Sequence, residues 1–194
     1  LDLSRGLMKG MCRVCVFYGD GLLNYAFSGG HPFRKGRAEA FWNLLSKEGL
    51  SGSKNFRVCE PVIVERDVIF TFHTAEYVKF VEKASKVGFG VLDYGDTPAF
   101  KGVFEAASYV VGSTLRGLDM VMNGEVEHVF NPVGGLHHAK RDSAGGFCVF
   151  NDAALAIIRA ETAYKLDRIA YVDIDAHHGD GVFYEFYDDP KVYD

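Results

Sequence analysis

The sequence is poor in the residues that mark specialised classes of protein. Four cysteines in 194 residues, Cys12, Cys15, Cys59 and Cys148, are too few and too scattered for the disulfide framework of a small secreted domain. Five prolines, spread singly among the glycines, leave no candidate linker, and neither an internal repeat nor a low-complexity tract is visible. No apolar run approaches the roughly 18 residues of a membrane-spanning helix, and the N-terminus lacks the uninterrupted apolar stretch of a signal peptide. Positive charge is in deficit: 21 Lys and Arg against 26 Asp and Glu give a net charge of −5, with no basic footprint for a nucleic-acid backbone. Together these absences exclude a membrane protein and a secreted scaffold. They predict a chain of the reducing cytoplasm with no direct nucleic-acid binding.

What is present is ordinary globular composition, 48% hydrophobic and 24% charged, in a length that suits one domain around one core. Residues 1–10 read as a leader or other residues outside the domain, and 11–194 as the domain itself. Strand and helix patterns alternate along it. Arg13 to Tyr18 reads as a short buried strand, and Gly36 to Leu45 as a helix presenting Phe41, Leu44 and Leu45 at helical spacing. Val62 to Val64 and Val68 to Phe72 read as strand-like or loop-like pieces, Thr74 to Lys83 as an amphipathic helix, and Phe100 to Met122 as a long helix rich in small residues. His128 to Asn131 is extended, Asp152 to Tyr164 helical, and Arg168 to Asp173 an apolar, β-branched strand. Parallel strands need crossovers of about this length, so the expected class is α/β with a mostly parallel sheet covered on both faces. In such sheets ligands sit beyond the carboxyl ends of the strands.

Two segments become polar at such a point. In Tyr171 to Val182, YVDIDAHHGDGV, a two-residue period puts Asp173, Asp175 and His177 on one face, while Val172, Ile174 and Ala176 face the other and can pack under a helix. Asp175 and His177 can then converge on one metal ion. A lone Asp-x-His is more often a cap and a solvated histidine, but here His178, Asp180 and two glycines accompany it. In Val129 to Asn151, Gly134 and Gly135 permit a tight turn before His137 and His138. Adjacent residues ligate one ion poorly, so this pair suits proton transfer, each imidazole oriented by a carboxylate, with Asp173 and Asp180 as the spare acids. Cys12 and Cys15 form a C-x-x-C whose spacing on a strand points them to opposite faces; they read as small core residues rather than a zinc knuckle or redox pair. The stretch Gly88 to Gly95 has no phosphate-loop lysine and reads as a loop.

The strings GGLHHAKRDSAGGFCVFND and YVDIDAHHGDGV resemble the zinc-dependent histone deacetylase superfamily, nearest to its prokaryotic acetoin-utilisation and deacetylase-like members. His31-Pro32 with Arg37, FHTAEYVKF from Phe72 to Phe80 and DTPAF from Asp96 to Phe100 extend the resemblance over essentially the whole chain. It implies a three-layer arginase/deacetylase-like fold and hydrolysis of an acetyl amide, most of all acetyl-lysine in a protein, with an acetylpolyamine or other small acetylated amine as the alternative substrate. An acidic surface would suit a histone-like partner. The resemblance makes Asp175 and His177 zinc ligands, pairs Asp173 and Asp180 with His137 and His138, and makes His138 the main general base and acid with His137 assisting. Phe147 would line the acyl-lysine channel and Gly146 offer it a carbonyl, although alone Phe147 reads as a core aromatic beside Cys148. Asp96 matches a rim acid that binds the substrate backbone, and Arg37 an arginine near the acetate exit path; by themselves these read as a turn residue and a solvent-facing arginine. A structural potassium ion is implied around Asp173, Asp175 and His177, and a second near Phe186, Asp189 and Val192.

Relatives of this superfamily are longer. Their third zinc ligand and electrophilic tyrosine lie beyond the point that corresponds to Asp194, so the resemblance implies an N-terminal part of the domain, inactive alone. The family's sheet places later strands between the one leading to His137 and the one leading to Asp175. The expectation is therefore an incomplete sheet whose edges take a completing chain or a second copy, or else a non-catalytic acyl-lysine binder. An arginase-like hydrolase is disfavoured by the single D-x-D-x-H-H-G-D signature.

Overall fold

The structure, a computed structural model, describes residues 13–194. The expected leader at 1–10 and Cys12 lie outside the described residues. β1 (Val14–Phe17) is the central strand of a parallel sheet, with β2 (Phe56–Cys59) on one side and β3 (His128–Phe130) on the other. Val14 stands opposite Phe56 and His128. Cys15, Val16 and Phe17 are all buried, as a strand covered on both faces requires. A second, two-stranded parallel sheet pairs β4 (Ile169–Ala170) with β5 (Val192–Tyr193). The class is the expected α/β.

Helices make the crossovers. α1 (Asp20–Leu23) and α2 (Gly36–Lys47) follow β1; α3 (Arg66–Ile69), α4 (Ala75–Val87) and α5 (Val103–Met122) lie between β2 and β3; α6 (Asp152–Thr162) precedes β4 and α7 (Asp180–Phe186) links β4 to β5. Thr74 caps α4, its side chain accepting from the Tyr77 N–H at 3.3 Å, and Gly88 ends it in the left-handed conformation. Asn151 caps α6 through the Ala154 N–H. α5 is the central helix, and its small residues set how closely it packs. A Cβ on Gly117 would come within 2.7 Å of Val129 on β3, and one on Gly112 would strike the backbone of Val62 to Val64.

Several expectations change. Val68 lies in α3 and Val62 to Val64 is a loop, while the strand of this region is β2, whose half-exposed Phe-Arg-Val-Cys carries too short an alternation to stand out. Leu44 is 59% exposed because α2 packs through Ala38, Phe41, Trp42 and Leu45, a stripe that Leu44 misses; Trp42 stacks on Tyr18 at 4.4 Å. Cys15 is buried as expected, but its sulfur is bonded to that of Cys59 on the neighbouring strand, the Cα atoms 6.2 Å apart. This pairing was hidden with β2.

Among the described residues β3 and β4 do not pair, and each is the last strand of its own sheet with one edge unpaired. The ladder of β4 stops at Ala170, and Val172 and Ile174, expected under a helix, are 79% and 94% exposed. Residues 171–174 continue outside any strand and 175–177 form a bend, so the expected two-residue period is not carried by a strand here, and no described element covers Val172 and Ile174. No helix among the described residues is long and apolar enough to cross a membrane.

Candidate active site

Beyond the end of β3 the chain turns over Asn131, whose side-chain oxygen accepts from the N–H groups of Val133 and Gly134 while its amide donates to Val110 and Thr114 on α5. Asp152, at the start of α6, holds the next residues. Its carboxylate accepts from the N–H groups of Gly135 (3.1 Å) and Leu136 (2.8 Å) and from the Thr114 hydroxyl (2.7 Å). Gly134 is pressed so close that a Cβ there would lie 2.6 Å from the Asp152 carboxylate. The loop so fixed delivers His137 and His138 with ring centroids 4.2 Å apart.

The partners come from beyond β4. Asp173 Oδ2 lies 2.5 Å from His137 Nδ1 and also accepts from the Tyr171 hydroxyl at 2.9 Å. Asp180 Oδ1 lies 2.7 Å from His138 Nδ1, and its other oxygen pairs with Lys140 Nζ at 3.0 Å. Glycine makes this approach possible. The Gly181 N–H donates to the His137 carbonyl at 2.9 Å, and a Cβ at Gly181 would collide with the carbonyls of His137 and Ala139, as one at Gly179 would with Asp173. His137 is buried and His138 half-buried, so the pairs open to one side.

Charge is fixed on the carboxylates. Burial alone would raise Asp173, but the hydrogen bonds from His137, the Asp175 N–H and Tyr171 outweigh it and hold its carboxyl below the usual range. Asp180 is likewise opposed by burial and held low by His138 and Lys140. With each Nδ1 turned to a carboxylate, the imidazoles present Nε2 as the free ring nitrogen.

Asp175 and His177 also converge. His177 donates its backbone N–H to Asp175 Oδ1 at 2.8 Å, which holds that carboxyl low, and its ring Nδ1 lies 2.9 Å from the same oxygen. The His177 ring stands 6.0 Å from that of His138. The Asp175 and His177 side chains are both exposed. Among the described residues no group of three or more His, Cys, Asp or Glu is gathered as a metal cage. Asp175 Oδ1 and His177 Nδ1, 2.9 Å apart and hydrogen-bonded to each other, are nevertheless donor types that fit zinc as two of its ligands.

Gly146 and Phe147 stand beside this cluster, since a Cβ on Gly146 would strike the His138 ring. The Gly146 carbonyl has the Cys148 thiol at 3.4 Å, and the Phe147 ring packs edge-on to His31 at 4.4 Å. Asp96 is exposed, its carbonyl 3.1 Å from His31 Nε2. Arg37 is separate: its guanidinium covers the Phe33 ring at 4.4 Å, beside a cavity of about 10 Å³ that also touches Pro132 and Val133 of the histidine loop. The carbonyls of Phe186 and Asp189 accept within the chain from Asp189 and Val192.

A model of the histone deacetylase domain matches residues 31–194. The chain belongs to the histone deacetylase family. It is 39% identical over 191 residues to the acetoin utilization protein AcuC of Bacillus subtilis, covering 93% of this chain and 48% of that protein. It is 35% identical to histone deacetylase RPD3 of Saccharomyces cerevisiae, over 93% of this chain and 42% of the relative, and 39% identical to histone deacetylase 8 of Xenopus tropicalis, over 75% and 40%. The chain thus spans less than half the length of these relatives. In this deacetylase domain sequence reasoning overlooked the residues that hold the motifs: Asp152, Asn131 and Thr114 under the histidine loop, and Lys140 and Tyr171 on the aspartates. A clue was available for Asp152, an acid directly after the Asn cap of an apolar helix, but a capping role would have absorbed it.

Proposed function

We propose that the protein hydrolyses the amide of an acetylated or otherwise short-acylated amine, with acetyl-lysine in a protein as its substrate class. The observation that carries this reading is the meeting of two histidine–aspartate pairs, at 2.5 and 2.7 Å, beside an oxygen–nitrogen donor pair. The histone deacetylase names of two of the relatives support lysine as the acylated group.

In this reading Asp175 and His177 hold zinc together with a ligand from outside the described residues. Zinc, when bound, supplies Lewis acidity to the amide carbonyl and to water. His138, its Nδ1 committed to Asp180, takes a proton at Nε2 from the attacking water and returns it to the departing amine. Asp180 keeps the ring in the tautomer that can do so and stabilises the imidazolium that forms. His137, on Asp173, assists through its orientation and charge. Phe147 and Gly146 line the path of the acyl-lysine side chain, Asp96 meets the substrate backbone at its rim, and Arg37 stands on the route by which acetate leaves. Oxygens around Asp173, Asp175 and His177 suit a structural potassium ion; a second near Phe186, Asp189 and Val192 would have to use the remaining lone pairs of carbonyls already engaged. The open edges of β3 and β4, with Val172 and Ile174 exposed just beyond β4, are where further strands or a completing chain would join.

The test is zinc content and turnover of an acetyl-lysine peptide, measured on the same samples of the full-length protein. His138→Ala should lower turnover by about 10² or more with zinc content unchanged, whereas His177→Ala should lose both. Parallel loss of metal and activity in His138→Ala would refute its assignment. Hydrolysis of acetylspermidine but not of the peptide would move the substrate class, and peptide binding without zinc or turnover would mean a binder rather than an enzyme.

A further inference from the structure

Gly145 to Cys148 closes a two-residue turn, with the Cys148 N–H donating to the Gly145 carbonyl at 2.8 Å and the Gly145 N–H returning to Cys148 at 3.1 Å. Its central residues, Gly146 and Phe147, both have positive φ, +51° and +72°. Turns of this kind favour glycine or asparagine at such positions, and a phenylalanine there persists only where its surroundings impose the conformation. Phe147 is one of just two non-glycine residues with positive φ among those described.

The surroundings impose it from both ends of the residue. The Phe147 N–H donates to Thr97 Oγ1 at 3.0 Å, and its carbonyl accepts from the Tyr25 hydroxyl at 2.6 Å. Thr97 is fully buried, so no water can take its place. Its single hydroxyl proton goes to Asp93 Oδ2 at 2.5 Å, which leaves the oxygen lone pairs turned to Phe147. Asp93 in turn gathers the residues around it: its Oδ1 accepts from the N–H groups of Gly95 (2.9 Å), Asp96 (3.1 Å) and Thr97 (3.0 Å), within a loop closed by the Leu92 N–H on the Thr97 carbonyl. His31 joins the two segments: its Nδ1 accepts from the Phe33 N–H, its Nε2 is thereby left to donate to the Asp96 carbonyl, and its ring meets the Phe147 ring.

We propose that Asp93 and Thr97 are positioning residues for the acyl-binding mouth, holding the strained Phe147 and the rim acid Asp96 as one rigid unit. The inference rests on the deacylase reading for what Phe147 and Asp96 touch. Neither Asp93 nor Thr97 contacts the His–Asp pairs, so the unit acts on how substrate is held rather than on the proton transfers.

The experiment compares Thr97→Val, Thr97→Ser and Asp93→Asn with the parent, all in the full-length protein, reading KM and kcat on an acetyl-lysine peptide and hydrogen exchange of the Phe147 amide. Thr97→Val, which keeps the shape and loses the acceptor, should raise KM roughly fivefold, the scale of one lost hydrogen bond, with kcat within about twofold, and should speed exchange at Phe147 by a similar factor. Thr97→Ser should restore both. Asp93→Asn, at a partly exposed position, should shift both in the same direction and serves if Thr97→Val does not fold. Unchanged KM and unchanged Phe147 exchange in the variants would overturn the proposal, as would a loss confined to kcat. A full-length parent protein that does not hydrolyse the peptide at all would count against the deacylase reading, and the exchange at Phe147 would still decide whether Thr97 positions it.

Discussion

His73 offers a direct measure of how burial couples the core to the candidate site. It is 2% exposed, enclosed by the rings of Phe72, Tyr77 and Phe150, and its Nε2 accepts from the Asn151 N–H at 3.0 Å. Asn151 in turn donates its side-chain amide to the carbonyl of Ala139, next to His138. Burial pushes the His73 imidazole down from 6.5 to about 3; the carbonyls of Lys140 and Arg141 pull the other way, and the Arg141 charge pushes further down. Between those two values the unfolded chain binds a proton that the native state does not, so stability falls as the pH falls through that window and is fully present above pH 6.5. Each pH unit within the window is worth about 1.4 kcal/mol, so the step from pH 7 to pH 5 removes about 2 kcal/mol. With a urea slope of about 2 kcal/mol/M, the unfolding midpoint drops by about 1 M from this residue alone. Urea titrations of the parent and His73→Gln at both pH values isolate it, because other titrating groups cancel in the difference. The stability advantage of the parent over the variant should shrink by about 2 kcal/mol between pH 7 and pH 5. Parallel pH profiles for the two proteins would refute the argument.

Three further outcomes follow from packing and capping. Asp152→Asn removes one acceptor oxygen from beneath Gly135, Leu136 and Thr114 and should cost about 1–3 kcal/mol in chemical denaturation; a change below about 0.5 kcal/mol would mean that the loop does not depend on it. Gly112→Ala drives a Cβ into the backbone of Val62 to Val64 and should destabilise by about 1–3 kcal/mol, read as a lowered melting temperature. Thr74→Ala deletes the cap of α4 and should cost about 1 kcal/mol, with Thr74→Ser recovering most of it.

Periodicity was enough for α2, α4, α5 and α6, because each is long and carries an apolar stripe that only a helix could bury in one direction. It failed for β2 and α3, short pieces of four residues in which helix and strand patterns cannot be separated. The same limit explains the missed Cys15–Cys59 pairing, which depends on β1 and β2 being neighbours. The motif residues were legible as chemistry. The sequence alone left Asp173 and Asp180 as spare acids, and the family resemblance assigned them to the histidines.

Residue identity and spacing by themselves determine the α/β alternation, the family, and which side chains can carry protons or a cation. Only the tertiary structure decides that Asp173 meets His137 and Asp180 meets His138, across 36 and 42 residues of chain, since those contacts require two loops to approach through glycines that leave no room for a Cβ. It also decides the roles of Asp152, Asp93 and Thr97, whose hydrogen bonds reach distant backbone groups. A sequence records that a carboxylate is present; the N–H groups it faces are set by how elements pack, because a hydrogen bond needs its partners within about 3 Å.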